Sequence, residues 1–198
     1  MRGRLSKYGF FGVIKLFYYV IRTKLLFKRA RIIRFPFEIR GRRHITLKKG
    51  FTSGVGCRIE AFPACGGISL SFGENFQMND YVHITAMRSV VIGDNVLIAS
   101  KVYISDCSHG SYFGDDNDSH PESIPKDRPL FAKSVHIEDN VWLGEFVSVL
   151  PGVTIGKGTI VGANSVVSRS LPPNVIAVGT PAIPIKRFNF HTNKWTKI

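Results

Sequence analysis

The chain has 198 residues and a formal net charge of +13, enough for one domain with a full core and a small appendage. Fifteen of its 27 Lys and Arg, but only one of its 14 acids (Glu38), lie in residues 1–50, a net of +14; residues 51–198 keep 12 basic against 13 acidic. A neutral body behind a basic N-terminus, with no helix-turn-helix or zinc finger, excludes a general nucleic-acid binder.

Residues 1–31 form the first unit. Tyr8 to Phe27 is aromatic and aliphatic but carries Lys15, Arg22 and Lys24, too many cations for a membrane span. As a helix, Lys15 and Arg22 share a narrow polar stripe, while Phe10, Phe11, Ile14, Phe17, Tyr18 and Ile21 cover much of the rest. That combination describes an interfacial helix on an anionic membrane, and equally one that caps the end of a solenoid or joins subunits. No small-residue cleavage site follows the apolar run, so export is not expected. Cys57, Cys65 and Cys107 are an odd number without a CxxC pair, and fit reduced cytosolic thiols.

Residues 32–173 form the main domain. Ile32 to Gly50 alternates apolar and basic residues, as first strands would. Phe72-Gly-Glu-Asn-Phe-Gln with Met78-Asn-Asp-Tyr-Val-His, and Ile92 with Ile98, are successive hexads, and the period of six resumes from Ile137 through Leu143, Val149, Ile155, Val161 and Val167. Six fits neither a helix nor a lone strand, so the repeat belongs to a solenoid. One aliphatic residue per hexad points inward, and Gly, Asp and Asn take the corners. Three hexads close a triangular coil, and coils stack with strands about 4.8 Å apart. The predicted fold is an all-β left-handed parallel β-helix. Residues 111–133 break the register with a polar, Pro- and Asp-rich loop that a solenoid does not need, which points to function. Residues 174–198 read as a C-terminal tail.

The hexads, a His just before the loop, Val141-Trp-Leu-Gly after it, and Pro172-Pro-Asn-Val-Ile-Ala-Val-Gly-Thr-Pro-Ala at the end resemble the hexapeptide-repeat acyltransferases. The resemblance is closest to the O-antigen and capsule O-acetyltransferases and to the galactoside and maltose type. It implies direct transfer of acetyl from acetyl-CoA, without a metal, to a sugar hydroxyl in a cleft between subunits of a homotrimer. His109 stands at the catalytic-base position; an imidazole with an ordinary pKa near 6.5 can take the proton of an attacking hydroxyl. Asn79 matches an amide near the acceptor and acyl carbonyl. Tyr81 and His83, on the same coil, and Glu145 are candidates for holding the sugar, with Glu145 also placed to orient His109. For the donor, Trp142 matches an aromatic beside the CoA channel, Gly144, Ala163 and Ser168 the small positions along the pantetheine arm, and Arg169 and Lys186 the phosphate positions. Ile183 replaces an Arg of the galactoside type, and Ala86 and Met87 replace its acidic pair, which argues against simple galactosides.

The resulting expectation is a cytoplasmic O-acetyltransferase of a bacterial surface polysaccharide or its lipid-linked repeat unit, peripheral at the inner membrane through residues 1–31. N-acetylation of a nucleotide-linked amino sugar and a non-catalytic β-helix scaffold are the alternatives. An acyl-enzyme on Cys107 is a rival mechanism, and a three-imidazole zinc site a rival enzyme class.

Overall fold

The computed structural model describes residues 2–198, with side chains from Tyr8 onward; Met1 lies outside the described residues. After one N-terminal helix, α1 (Arg2–Leu26), nearly all regular structure is short strands. The chain visits three sheets in turn. Face 1 stacks Ile32–Ile33, Thr52–Ser53, Gln77–Met78, Leu97–Ile98, Trp142–Leu143, Ile160–Val161 and Val175–Val178. Face 2 stacks Phe37–Arg40, Cys57–Ala61, His83–Ala86, Tyr103–Ser105, Ser148–Val149 and Val166–Val167. Face 3 stacks Ile45–Leu47, Leu70–Phe72, Val90–Ile92, Val135–Ile137 and Thr154–Ile155. All these neighbours are parallel and come from successive turns of the chain, so the sheets form a three-sided coil.

The hexad register explains the stacking. On face 2, Ile59, Ile84, Ile104, Val149 and Val167 fall in one ladder; on face 3, Phe72, Ile92, Ile137 and Ile155 do the same. Each of these side chains is fully buried, which favours folding by about 1.5–3 kcal/mol apiece. The end next to α1 is filled by aromatics instead: Phe51, Phe72 and Phe76 lie with centroids 4.7–5.4 Å apart, and Phe37 links them to Phe27.

α1 meets this end along one i, i+4 line, the buried Tyr19 and Thr23, which Phe27 continues just past the helix. The Tyr19 hydroxyl donates to the Phe35 carbonyl at 2.8 Å, and Thr23 Oγ1 accepts the Ile33 amide at 2.8 Å. The polar stripe borders this contact: Arg22 lies 3.9 Å over the Phe35 ring and Lys15 5.8 Å over Tyr19. The cations flank the contact with the body, and the opposite side of α1 is an exposed apolar ridge of Phe10, Phe11, Ile14, Phe17, Tyr18, Ile21 and Leu25. No helix among the described residues is long and apolar enough to cross a membrane.

Two boundaries differ from the sequence expectation. Val175–Val178 adds a further rung to face 1, beyond residue 173, and Ile183–Asn189 with Lys194–Lys197 continues the face antiparallel. The last segment therefore terminates a sheet edge. The excursion also starts earlier than residue 111. The chain leaves face 2 at Asp106, and Cys107–His109 pairs antiparallel with Leu130–Ala132 before Val135 rejoins face 3. His109 thus sits within the excursion, on the first strand of its hairpin.

Candidate active site

Face 2 is bounded by two edges of the coil, and the predicted residues divide between them. On the edge between faces 2 and 3, His109 projects from the hairpin, exposed, with Leu130 opposite it in register. Its backbone carbonyl accepts the Tyr112 hydroxyl, and its ring has no hydrogen bond or ion pair among the described residues. The polar loop beyond is folded on itself: the Arg128 guanidinium donates to Tyr112 Oη, Ser123 Oγ and the carbonyls of Pro121 and Ser123. The Asp118 carboxylate accepts the amides of Phe113 and Gly114. The hairpin is rooted by Asp106, fully buried, whose carboxylate accepts the amides of Met87, Arg88 and Ser89 at 2.7–2.8 Å. Nothing in the sequence singled out Asp106, since an Asp before a loop reads as ordinary turn chemistry.

Cys107 shares this strand but is poorly suited as a nucleophile. Burial raises its thiol pKa, the Asp106 and Glu60 charges add to that, and a hydrogen bond from Ser105 only partly opposes them. A thiol held protonated is a weak attacker. Cys107→Ser is therefore expected to retain at least about a third of wild-type acetyl transfer; a loss beyond about a hundredfold would point to the acyl-enzyme route.

The edge between faces 1 and 2 carries Asn79, Tyr81, Trp142, Gly144, Glu145 and Ala163. Asn79 is exposed with no side-chain partner among the described residues, its carbonyl accepting the Cys57 thiol. Trp142 is half exposed at 48 %. A Cβ on Gly144 would come within 2.6 Å of the Ala163 nitrogen, so the shelf beside Trp142 has to stay bare. This edge is unusual in its backbone. At the left-handed corner position of three successive turns it places Tyr81 (φ 58°), Lys101 (φ 60°) and Phe146 (φ 58°), where the edge between faces 3 and 1 uses Asn75, Asn95 and Asn140. Bulky residues there cost about 1–3 kcal/mol each and collect at functional edges. The Tyr81 ring lies against Gly56, where an added Cβ would meet it at 2.4 Å.

A single chain does not gather all the predicted residues. Ser168 and Arg169 lie on the His109 edge, past Val166–Val167, and Lys186 on the antiparallel strand that continues face 1. Glu145 is across face 2 from His109 and does not orient the imidazole of its own chain. His83 lies between the edges, on the outer side of face 2, within a network the sequence did not reveal. Glu60, 7 % exposed, lies with Oε1 2.9 Å from Arg40 Nη1 and 3.1 Å from Arg58 Nε, and His83 is 3.8 Å from its Oε2. Burial, then the Arg58 charge, hold the His83 pKa below its ordinary value, with Glu60 opposing. No three His, Cys, Asp or Glu side chains among the described residues converge as a metal site would require.

Comparison with known proteins places this architecture. Residues 134–169 match the bacterial transferase hexapeptide (six repeats) model. The chain is 47% identical over 192 residues to WbbJ of Escherichia coli (strain K12), whose name provisionally assigns it to lipopolysaccharide biosynthesis as an O-acetyl transferase; the match covers 97% of this chain and 96% of that one. A galactoside acetyltransferase solved with coenzyme A is 33% identical with a TM-score of 0.54, over 71% of this chain and 67% of that one. The Bacillus cereus N-acyltransferase AntD shares the fold at 19% identity and a TM-score of 0.63, covering 82% and 84%. With near-complete coverage at that identity, the chain belongs to the hexapeptide-repeat acetyltransferases.

Proposed function

We propose that this protein winds as a left-handed β-helix and transfers an acetyl group from acetyl-CoA to a hydroxyl of a bacterial surface polysaccharide or its lipid-linked repeat unit. The observation that carries the reading is the 47% identity to WbbJ, which extends through the N-terminal segment as well as the repeats. His109 serves as general base: its ring takes the proton of the acceptor hydroxyl as that oxygen attacks the thioester carbonyl. The carbon–sulfur bond then breaks, and the imidazolium returns the proton to the departing thiolate. Asn79 donates its amide N–H to the oxyanion or the acceptor. Trp142, Gly144 and Ala163 form the shelf for the pantetheine arm, with Ser168, Arg169 and Lys186 at its further contacts and the phosphates.

The split between two edges supports assembly. With His109 and the Trp142 shelf on opposite sides of face 2, one complete site needs the His109 edge of one copy against the shelf edge of a neighbour, as a homotrimer provides. Glu145 would reach His109 only across such a junction. AntD's N-acylation counts for little here, because a 19% identity carries the fold alone.

The exposed ridge of α1 supports peripheral contact with the cytoplasmic face of the inner membrane. Seven apolar side chains point away from the body, and Lys24, Lys28, Arg29, Lys48 and Lys49, with one acid, Glu74, line a hollow of about 650 Å³ at the same end. Deleting residues 1–30 would also remove Ala30, which is buried in the core, so substitution is the cleaner test. Phe11→Ser with Phe17→Ser and Ile21→Ser should lower binding to phosphatidylglycerol vesicles at least about tenfold, given about 1.5–3 kcal/mol per inserted side chain, at unchanged melting temperature. Retained binding would reject the membrane role. The enzymatic reading is tested by incubating the protein with acetyl-CoA and de-O-acetylated polysaccharide from the source strain. A gain of one acetyl mass per repeat unit is expected, and no transfer to any saccharide would overturn it.

A further inference from the structure

On a plain hexapeptide coil the outward positions of a face are small or hydroxylated, and the upper half of face 2 follows this with Ser148 and Val166. The lower half does not. In one outward column, Glu38, Arg58, His83 and Tyr103 stand in register on successive strands; in the next, Arg40, Glu60, Thr85 and Ser105 do. Arg58 Nη2 lies 3.1 Å from His83 Nε2, Thr85 Oγ1 3.0 Å from the same nitrogen, and the His83 and Tyr103 rings meet tilted at 54° with centroids 5.5 Å apart.

The ion pairs do not account for this cluster by themselves. Burying the Glu60 carboxylate carries a desolvation cost that ion pairing repays only with good geometry. Here Oε1 is enclosed and, among the described residues, has no well-directed hydrogen bond, although Arg40 Nη1 and Arg58 Nε lie 2.9 and 3.1 Å away. Arg40 is shared between two carboxylates, its Nε and Nη2 donating to Glu38 Oε1 while Nη1 lies by Glu60, whereas Arg58 Nη1 has no partner among the described residues. The guanidiniums and the Tyr103 ring remain about two-fifths exposed. What is left facing outward is the Nη1 edge of the Arg58 guanidinium, held from beneath by Glu60, beside the partly exposed Tyr103 ring. That pairing suits a sugar ring: the guanidinium fork meets adjacent hydroxyls, and the aromatic ring covers a patch of C–H bonds.

Position adds a second argument. The cluster occupies the face lying between the His109 edge and the Trp142 shelf. Its second column ends at Ser105, whose hydroxyl accepts the Cys107 amide. From Ser105 to His109 is four residues, at most about 14 Å of chain. We propose that Arg58, Tyr103 and His83, braced by Glu60 and Arg40, form a subsite for a second sugar residue of the acceptor, next to the one acetylated. This deepens the transferase reading above and rests on it. It makes the enzyme selective for a saccharide chain over a free monosaccharide, with specificity set by face 2.

The test uses the full-length protein, acetyl-CoA and size-fractionated oligosaccharides, from mono- to tetrasaccharide, cut from de-O-acetylated polysaccharide of the source strain. The wild type is expected to prefer the tetrasaccharide in kcat/KM. Tyr103→Ala and, separately, Arg58→Lys should each cut that preference about tenfold, the loss of one good contact, through a raised acceptor KM and with the KM for acetyl-CoA unmoved. Arg58→Lys keeps a cation against Glu60, so it reads the fork rather than the fold. A preference unchanged in both variants, or a change accompanied by dissociation of the oligomer in sedimentation, overturns the subsite and leaves the transferase reading standing. A wild type that acetylates none of the saccharides overturns both.

Discussion

His109→Ala is expected to lower acetyl transfer by about 10²–10⁴-fold, the range for losing a positioned general base, with little change in melting temperature. Its side chain is exposed on the hairpin strand and unpaired among the described residues, so its removal is a surface change, and changes of that kind stay within about 0.5 kcal/mol. The KM for acetyl-CoA should hold, because the proposed role of the imidazole is to take the acceptor's proton and it is not one of the proposed donor contacts. His109→Gln, which keeps bulk and hydrogen bonding but cannot accept a proton at neutral pH, should be as inactive as the alanine variant. If either protein keeps transfer within about threefold of wild type, the imidazole is not the base. Mixing inactive His109→Ala with inactive Trp142→Ala subunits would further restore some activity if the two edges of a site come from different copies, since one junction in the mixed oligomer then carries both intact edges.

The repeat was legible because its signal is local and cumulative. Ile98, Leu143 and Val161 fall six or a multiple of six apart except where the excursion intervenes, and stacking turned that spacing into one inward ladder. The Cys107–His109 strand was not legible, since three residues in an antiparallel hairpin have no period to read and their partners lie over 20 residues away. The last rung at Val175–Val178 was missed because it follows Pro172-Pro173 and no further coil repeats it. Helical periodicity predicted α1 but not which side faces the body. The Tyr19, Thr23 and Phe27 line was chosen by the shape of the aromatic end it covers. Candidate residues could be named from spacing and resemblance, but their division between two edges follows from the three-face topology. The Arg58–Glu60–His83 network was invisible for the same reason: residues 25 apart in the chain become neighbours only once register is set.

Asp106→Ala is expected to cost about 3 kcal/mol and to lower the melting temperature by about 6–12 °C, at the 2–4 °C per kcal/mol usual for a chain this size. Its two carboxylate oxygens satisfy three consecutive amides, Met87, Arg88 and Ser89, at the corner where face 2 turns into face 3. Alanine leaves those donors with whatever water can reach a site that is 0% exposed at Asp106. Asparagine restores the shape but offers only one acceptor oxygen and turns an N–H toward the remaining amides, so Asp106→Asn should recover little of the loss. The consequence for catalysis is separable from stability. The Asp106 backbone carbonyl accepts the Lys133 amide at 2.8 Å, closing the base of the hairpin that holds His109. A loosened corner lets the imidazole wander from the acceptor hydroxyl. Assayed well below its melting temperature, Asp106→Ala should therefore show a kcat reduced about tenfold or more, the usual penalty for misplacing a catalytic group, at an unchanged KM for acetyl-CoA. Melting curves and initial rates on the same preparations decide it: a destabilised protein with full kcat would make Asp106 a fold residue only, and a protein as stable as wild type would mean the three amides find other partners.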